Sequence, residues 1–288
     1  MSVTPTVIHF CHDIWSLSSP VQMIESDENY CYVVTQATPF HPVSHLWPDH
    51  PADKGWLEES PVVDCLVGAV DLSSGELFVG TEIPVRRDED GWSFVVVHCL
   101  EKNKVNLSIG QSVLLKVDKA YQQALSRGHS AGHIASLALN KALAVQGYWR
   151  KDAERKDTHG YCDFNSYAQQ SSFVTPEQCH DTYRLGKTLR KRGLNSAEFL
   201  DNLKDIEVAV NHQIAQWLTL KADISMKCCG DTLTDSRYWQ CDLGESSIAE
   251  IPCGGTHVRN LQEYKQIQVT LTQVDEQNIE MLTHVTST

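Results

Sequence analysis

Along the first 115 residues, short apolar runs alternate with turn signals. The runs "YCYVVTQATPF", "VVDCLVGAVDLSSGELFVGTEIPVRR", "WSFVVVHCL" and "QSVLLKVD" are rich in Val, Cys, Phe and Leu. "SSGE", "RRDEDG" and "NLSIGQ" interrupt them. That pattern predicts a compact β domain, barrel-like, over residues 1–115. "HPVSHLWPDHPADKGW" between the first two runs is loaded with Pro, His and Asp, and reads as loop.

Near Val117 the period changes. "DKAYQQALSRGHSAGHIASLALNKALAV" fits a long helix, weakened at Gly128 and Gly132. "TPEQCHDTYRLGKTLRKRGL" opens with Thr175, Pro176 and Glu177, which reads as a helix start, and stops at Gly193. In the next segment Ser196 reads as an N-cap. Phe199, Leu203, Ile206, Val210, Ile214 and Leu218 then step by three or four, the stripe of a helix packed on a sheet. "ISMKCCG", "RYWQCDL", "SIAEIPC" and "YKQIQVTLTQVDEQNIEMLTHV" read as strands. The whole is expected to be α+β: a β domain over 1–115, and helices on an antiparallel sheet over 116–288.

Composition narrows the function classes. The chain has 288 residues, 41% of them apolar, with 37 acidic residues against 24 basic and a formal net charge of −13. That balance argues against a broad basic coat for nucleic acid but does not exclude a local basic groove. No run approaches 18 apolar residues, and the N-terminal segment lacks a signal-peptide pattern. A cytoplasmic protein without a membrane partner is expected. The ten cysteines contain no CxxC pair and read as buried thiols. The vicinal Cys228–Cys229 reads as strand residues facing opposite sides.

Two short motifs carry chemistry. "HSAGH" places His129 and His133 four apart on the long helix. Such a pair is either a polar helix face or half a metal site, since residues i and i+4 lie about 6 Å apart. "EIPCGGTHVRN" places Cys253 and His257 four apart, but Gly254 and Gly255 argue for a strand end and turn rather than a helix. Either motif alone is weak. Together they offer three imidazoles and one sulfur, a donor set that selects Zn²⁺ over Mg²⁺ or Ca²⁺. The small residues Gly128, Ser130, Ala131, Gly132, Gly254 and Gly255 are expected to leave open space above the ion.

"HSAGH" with "CGGTHV" resembles the editing domain of alanyl-tRNA synthetase and its free-standing relatives, the AlaX-type trans-editing proteins. Gln146, "CDF" at 162–164 and "IEVAVNHQI" at 206–214 follow in the order the family shows. "FHP" at 40–42 and "DKG" at 53–55 match earlier motifs, while "VSHLWPDHPA" stands where the family carries Gly-Gly-Gln. The resemblance implies an α+β editing domain that hydrolyses, in trans, the ester joining a wrong amino acid to tRNA, with serine or glycine on alanine tRNA as the first expectation. It implies zinc on His129, His133, Cys253 and His257, whether His257 binds directly or one shell out. It implies a pocket glutamine at Gln146, seventeen residues after His129 and assigned a catalytic and substrate-binding role. Gly254, Gly255 and Thr256 are expected to contact substrate.

Basic residues cluster in "RLGKTLRKRG", where Arg190, Lys191 and Arg192 are candidates to contact tRNA phosphates; a solvated helix face is the competing reading. His41, His45 and His50 have no common face by spacing and are expected in a loop covering the pocket. Two other functions stay open at this point. One is a zinc hydrolase of a small ester or amide without tRNA, favoured by the missing Gly-Gly-Gln and the charge of −13. The other is a non-catalytic metal-binding module on the same fold.

Overall fold

In a computed structural model, residues 3–87, 89–102 and 106–288 are described. Asp88 of the "RRDEDG" break and the first two residues of the N-terminal segment lie outside them. Strands outnumber helices. The chain divides into two compact units. The first holds Met1–Gln123 with two later segments, Cys228–Arg237 and Gly254–Thr256; the second holds Ala124–Lys227, Tyr238–Cys253 and His257–Thr288.

The first unit is built on an eight-stranded antiparallel sheet. Its order is Ser60–Val62, Gly55–Leu57, Ser112–Val117, Ser16–Ser26, Tyr30–Thr35, Trp92–Glu101, Asp64–Asp71 and Leu77–Val79. Ser16–Ser26 explains its curl. Residues 16–20 pair with Ser112–Lys116, and beyond a register shift at Val21/Met23 the strand pairs with Cys31–Thr35. Pro20 sits at the switch, where a residue without an N–H costs the ladder nothing, and its carbonyl accepts from Gln36 N. The sheet is curled: Ser60–Val62 and Leu77–Val79 stand at the ends of the strand order, yet Val63 N, just past Ser60–Val62, donates to Cys99 O of Trp92–Glu101 at 2.9 Å. Trp92–Glu101 is buried on both faces, in keeping with its largely apolar run, in which Ser93 and His98 are buried too, whereas Ser112–Val117 alternates buried and exposed.

The second unit has a four-stranded antiparallel sheet ordered Gln169–Thr175, Gln178–Arg184, Asn278–Ser287 and Tyr264–Gln273. The first two strands replace most of the helix expected over 175–193. Pro176 and Glu177 form a hairpin turn, Glu177 taking φ 63°. Arg127 holds that turn with Nε on both Glu177 carboxylate oxygens, at 2.7 and 2.9 Å. Cys179, Asp181 and Tyr183 alternate inward, the period of a strand. Only Lys187–Arg192 is helical, and Gly193 ends it in the left-handed region at φ 113°.

The apolar stripe behaves as expected, with a break at Asn202 separating Ser196–Asp201 from Leu203–Leu218. Phe199, Leu203, Ile206, Val210 and Ile214 are buried in one core with Val269, Leu271 and Met281. Asn211 exchanges two hydrogen bonds with the Val269 backbone, both 2.8 Å, and Glu207 accepts from Leu271 N at 2.8 Å, which registers helix on strand. Among the described residues, no helix is long and apolar enough to cross a membrane.

Candidate metal centre

The expected long helix spans Lys119–Val145. His129 and His133 stand one turn apart on it, with ring centroids 4.9 Å apart. Cys253 follows the strand Ala249–Pro252 directly, and His257 comes after the glycine turn. One ligand atom from each of His129, His133, Cys253 and His257 lies within 4.8 Å of the other three. Cys253 Sγ is 3.4 Å from His129 Nε2 and 3.2 Å from His257 Nε2. A tetrahedral shell with zinc–sulfur near 2.3 Å and zinc–nitrogen near 2.0 Å places sulfur and nitrogen on the order of 3.5 Å apart.

The donor atoms suit a shared cation. His133 Nε2 is buried and has no hydrogen-bond partner among the described residues, which in a polar cluster is costly unless something else engages it. Burial holds the His133 imidazole down to about 4, so it offers a neutral nitrogen across the physiological range. His257 is oriented from behind. Its Nδ1 lies 3.0 Å from Ser130 Oγ, which also accepts from Val258 N at 3.3 Å, and this leaves Nε2 turned toward the cluster. Ser130 escapes a sequence reading, because a small residue between two histidines carries no distinguishing signal.

The glycines of the helix do not open space over the ion. A Cβ on Gly132 would meet Cys179 Sγ at 2.7 Å, and one on Gly128 would meet Gln178 O at 2.5 Å and Thr175 O at 2.7 Å. Both positions admit the hairpin against the helix. Ala131 lies in the core.

Gln146 is not brought to the cluster. It lies one residue beyond the helix, thirteen past His133, and is exposed. At about 1.5 Å rise per residue it stands on the order of 20 Å along the axis from that ligand. The motif helix simply continues to Val145, so the seventeen-residue spacing leads away from the site. Arg190, Lys191 and Arg192 are exposed on Lys187–Arg192. Arg192 pairs with Glu154 at 3.0 Å, and Arg190 lines a cleft with Arg150 and Lys151.

Within the first unit, His41 and His50 do converge, with ring centroids 4.2 Å apart and both rings buried, whereas His45 lies toward Phe94. His50 Nδ1 faces Pro51 O at 2.8 Å and Nε2 faces Thr256 Oγ1 at 3.2 Å. The buried Asp53 carboxylate accepts from His41 N at 2.7 Å and from Gln122 Nε2 at 2.6 Å; burial raises it to about 7. The loop thus fixes Thr256, with Gly255 buried and Gly254 exposed before it. Proline-rich spacing hides this pairing, because no regular period relates residues 41 and 50.

No family model matches the chain. Comparison with curated proteins does find relatives. The chain is similar to part of alanine–tRNA ligase. It is 27% identical to the enzyme of Pseudothermotoga lettingae over 171 residues, covering 58% of this chain and 17% of that protein. With the enzyme of Thermotoga maritima it is 26% identical over 177 residues, again 58% and 17%. With that of Ruthia magnifica it is 22% identical over 169 residues, with the same coverage. The chain therefore spans about a sixth of the length of these alanine–tRNA ligases.

Proposed function

We propose that the chain is a zinc-dependent hydrolase that removes a wrong amino acid from tRNA by ester hydrolysis in trans, with seryl- or glycyl-tRNA(Ala) as the first substrates to test. The observation that carries this reading is the convergence of His129, His133, Cys253 and His257 around the partnerless His133 Nε2. The similarity to alanine–tRNA ligase supports the choice of substrate. Zinc held by His129, His133 and Cys253, with His257 either bound or one shell out, would supply Lewis-acid chemistry for an ester where a coordination position is left for it. The Ser130 hydroxyl beside Nδ1 sets the direction of the His257 ring. Exposed Gly254 presents backbone without a side chain beside Cys253, for an aminoacyl ester to approach closely, and buried Gly255 continues the same turn. The His50 contact orients the Thr256 hydroxyl as a group to position substrate.

A zinc hydrolase of small esters is the second reading, favoured by the net charge of −13. One assay separates them. Zinc-loaded protein is offered mischarged tRNAs and a minimal aminoacyl ester over a range of salt. Editing predicts faster cleavage of a mischarged tRNA, falling steeply with salt because each phosphate contact releases counterions. Neutralising Arg190, Lys191 and Arg192 together should raise KM for tRNA and leave the minimal ester unaffected. No preference for any mischarged tRNA and no salt dependence would sink the tRNA reading in favour of the small ester.

A further inference from the structure

The cysteine at 228 plays no part in the proposed reaction, yet it belongs to a second cluster of soft ligands. Cys11 Sγ, a ring nitrogen of His12 and Cys228 Sγ lie within 4.8 Å of one another. Cys11 is buried, Cys228 half-buried and His12 exposed, so the cluster runs from core to surface. All three belong to the first unit.

The sulfur spacing discriminates between uses of the pair. Cys11 Sγ and Cys228 Sγ are 3.9 Å apart. Two thiolates on one tetrahedral zinc, each at about 2.3 Å, stand about 3.8 Å from each other. A disulfide needs about 2.05 Å, so the sulfurs would have to close by nearly 2 Å from their present separation. A shared ion requires no such movement.

Local structure explains how neighbours in sequence reach one point. In a strand, Cys11 and His12 would face opposite ways. They sit instead in a turn over residues 10–13, where His12 N donates to His9 O at 3.0 Å and Asp13 takes φ 58°. Cys228 ends the strand Ile224–Cys228, and Cys229 N donates to Ser236 O at 3.0 Å. The two segments are laced together. Val7 bridges Thr232, Ile8 N donates to Asp231 O at 2.8 Å, and Arg237 lies 5.5 Å over the Phe10 ring while donating to the carbonyls of Thr232, Leu233 and Asp235. The ligands are therefore held near each other before any ion arrives.

We propose that Cys11, His12 and Cys228 form a second soft-metal site, binding Zn²⁺ through two thiolates and one imidazole, with the fourth position open to an exogenous ligand. On binding, two metal–sulfur bonds and one metal–nitrogen bond form, and the two thiol protons pass to solvent. No oxidant or reductant is involved. The ion would tie the N-terminal turn to a segment 217 residues further on, so its binding should stabilise the folded chain.

Co²⁺ titration of the reduced protein tests this, read by the thiolate-to-cobalt charge-transfer band. The wild type should take two equivalents. His129→Ala with Cys253→Ala should retain one, with a band of two-thiolate intensity. Cys11→Ser with Cys228→Ser should also retain one, with a one-thiolate band. His12→Ala, at an exposed position that spares the core, should weaken the remaining equivalent by about tenfold or more in the His129→Ala, Cys253→Ala background, by the loss of one of three ligands. A single equivalent in the wild type, or a charge-transfer band unchanged by losing both Cys11 and Cys228, would overturn the site. So would oxidation of the pair to a disulfide with no second equivalent bound beforehand.

Discussion

Two of the close imidazole pairs in this molecule make an instructive contrast. His129–His133 and His41–His50 have ring centroids 4.9 and 4.2 Å apart, one pair in each unit. Their surroundings differ. The first pair has a thiol at hand, Cys253 Sγ 3.4 Å from His129 Nε2, and His133 Nε2 has no hydrogen-bond partner among the described residues. In the second, His50 has both ring nitrogens on oxygens, Pro51 O and Thr256 Oγ1, and a carboxylate rather than a thiol secures the loop. Proximity of histidines is thus not what marks a metal site. Convergence of further donors marks it: Cys253 and His257 join the helix pair within 4.8 Å, whereas among the described residues no third such donor joins the loop pair, although its His41 Nδ1 is likewise buried without a hydrogen-bond partner.

The largest expected effect tests that distinction. Cys253→Ala should reduce metal content at the centre and ester hydrolysis together, by more than the roughly hundredfold that an outer-shell partner costs. His50→Asn should leave metal content unchanged. Metal analysis beside a hydrolysis assay checks both, and equal loss of metal in the two variants would erase the difference between the pairs.

The next test concerns why the helix pair sits among small residues. Helix propensity alone makes Gly132→Ala stabilising by about 1 kcal/mol. The approach of Cys179 Sγ to a Cβ at that position, 2.7 Å, predicts the opposite sign. Overpacking should destabilise by about 1–3 kcal/mol. Denaturant melts of the variant decide, and a rise in stability would show that the hairpin does not press on the helix.

These two outcomes bear on what the chain reveals without coordinates. The motif helix is legible because its apolar positions keep one period from Lys119 to Val145, and the Cys253 turn because two glycines exclude a helix. The hairpin at 169–184 is not, because Thr175-Pro176-Glu177 serves a helix start and a turn equally well. The inward Asp181, held by Gln169 Nε2 at 2.9 Å, also breaks the apolar alternation that would have marked a strand. Gln146 misleads for a related reason: a spacing along sequence becomes a distance only once the intervening structure is known, and here it is helix. The His41–His50 pair and the Cys11–Cys228 approach depend on loop paths and contacts far apart in sequence, which no local pattern encodes.

A smaller effect follows from titration in the first unit. Burial holds His50 and His98 near about 4 and depresses His41 as well. The unfolded chain takes up these protons at about 6.5, so the stability they contribute is present above that pH and lost as pH falls toward 4. Asp53, raised by burial to about 7, works the other way, since the folded chain holds its proton where the unfolded chain does not. Stability should therefore fall on acidification from 6.5 to 4, and Asp53→Asn should steepen the fall by about 1.4 kcal/mol per pH unit, the linkage of one proton. Chemical denaturation at stepped pH measures the slope, and a shallower slope in the variant would contradict the assignment.

The smallest effect belongs to Gln146→Ala. Exposed beyond the end of the helix, it should change neither metal content nor minimal-ester turnover. A large loss of turnover would mean that the residue reaches the centre after all.

The central claim is that His129, His133, Cys253 and His257 share one ion. X-ray absorption at the zinc edge of the Cys11→Ser, Cys228→Ser protein, loaded with one equivalent, tests it most directly. The account predicts a single sulfur neighbour at about 2.3 Å with nitrogen neighbours at about 2.0 Å that carry the multiple-scattering pattern of imidazole. A shell with no sulfur, or one of oxygens alone, would contradict it.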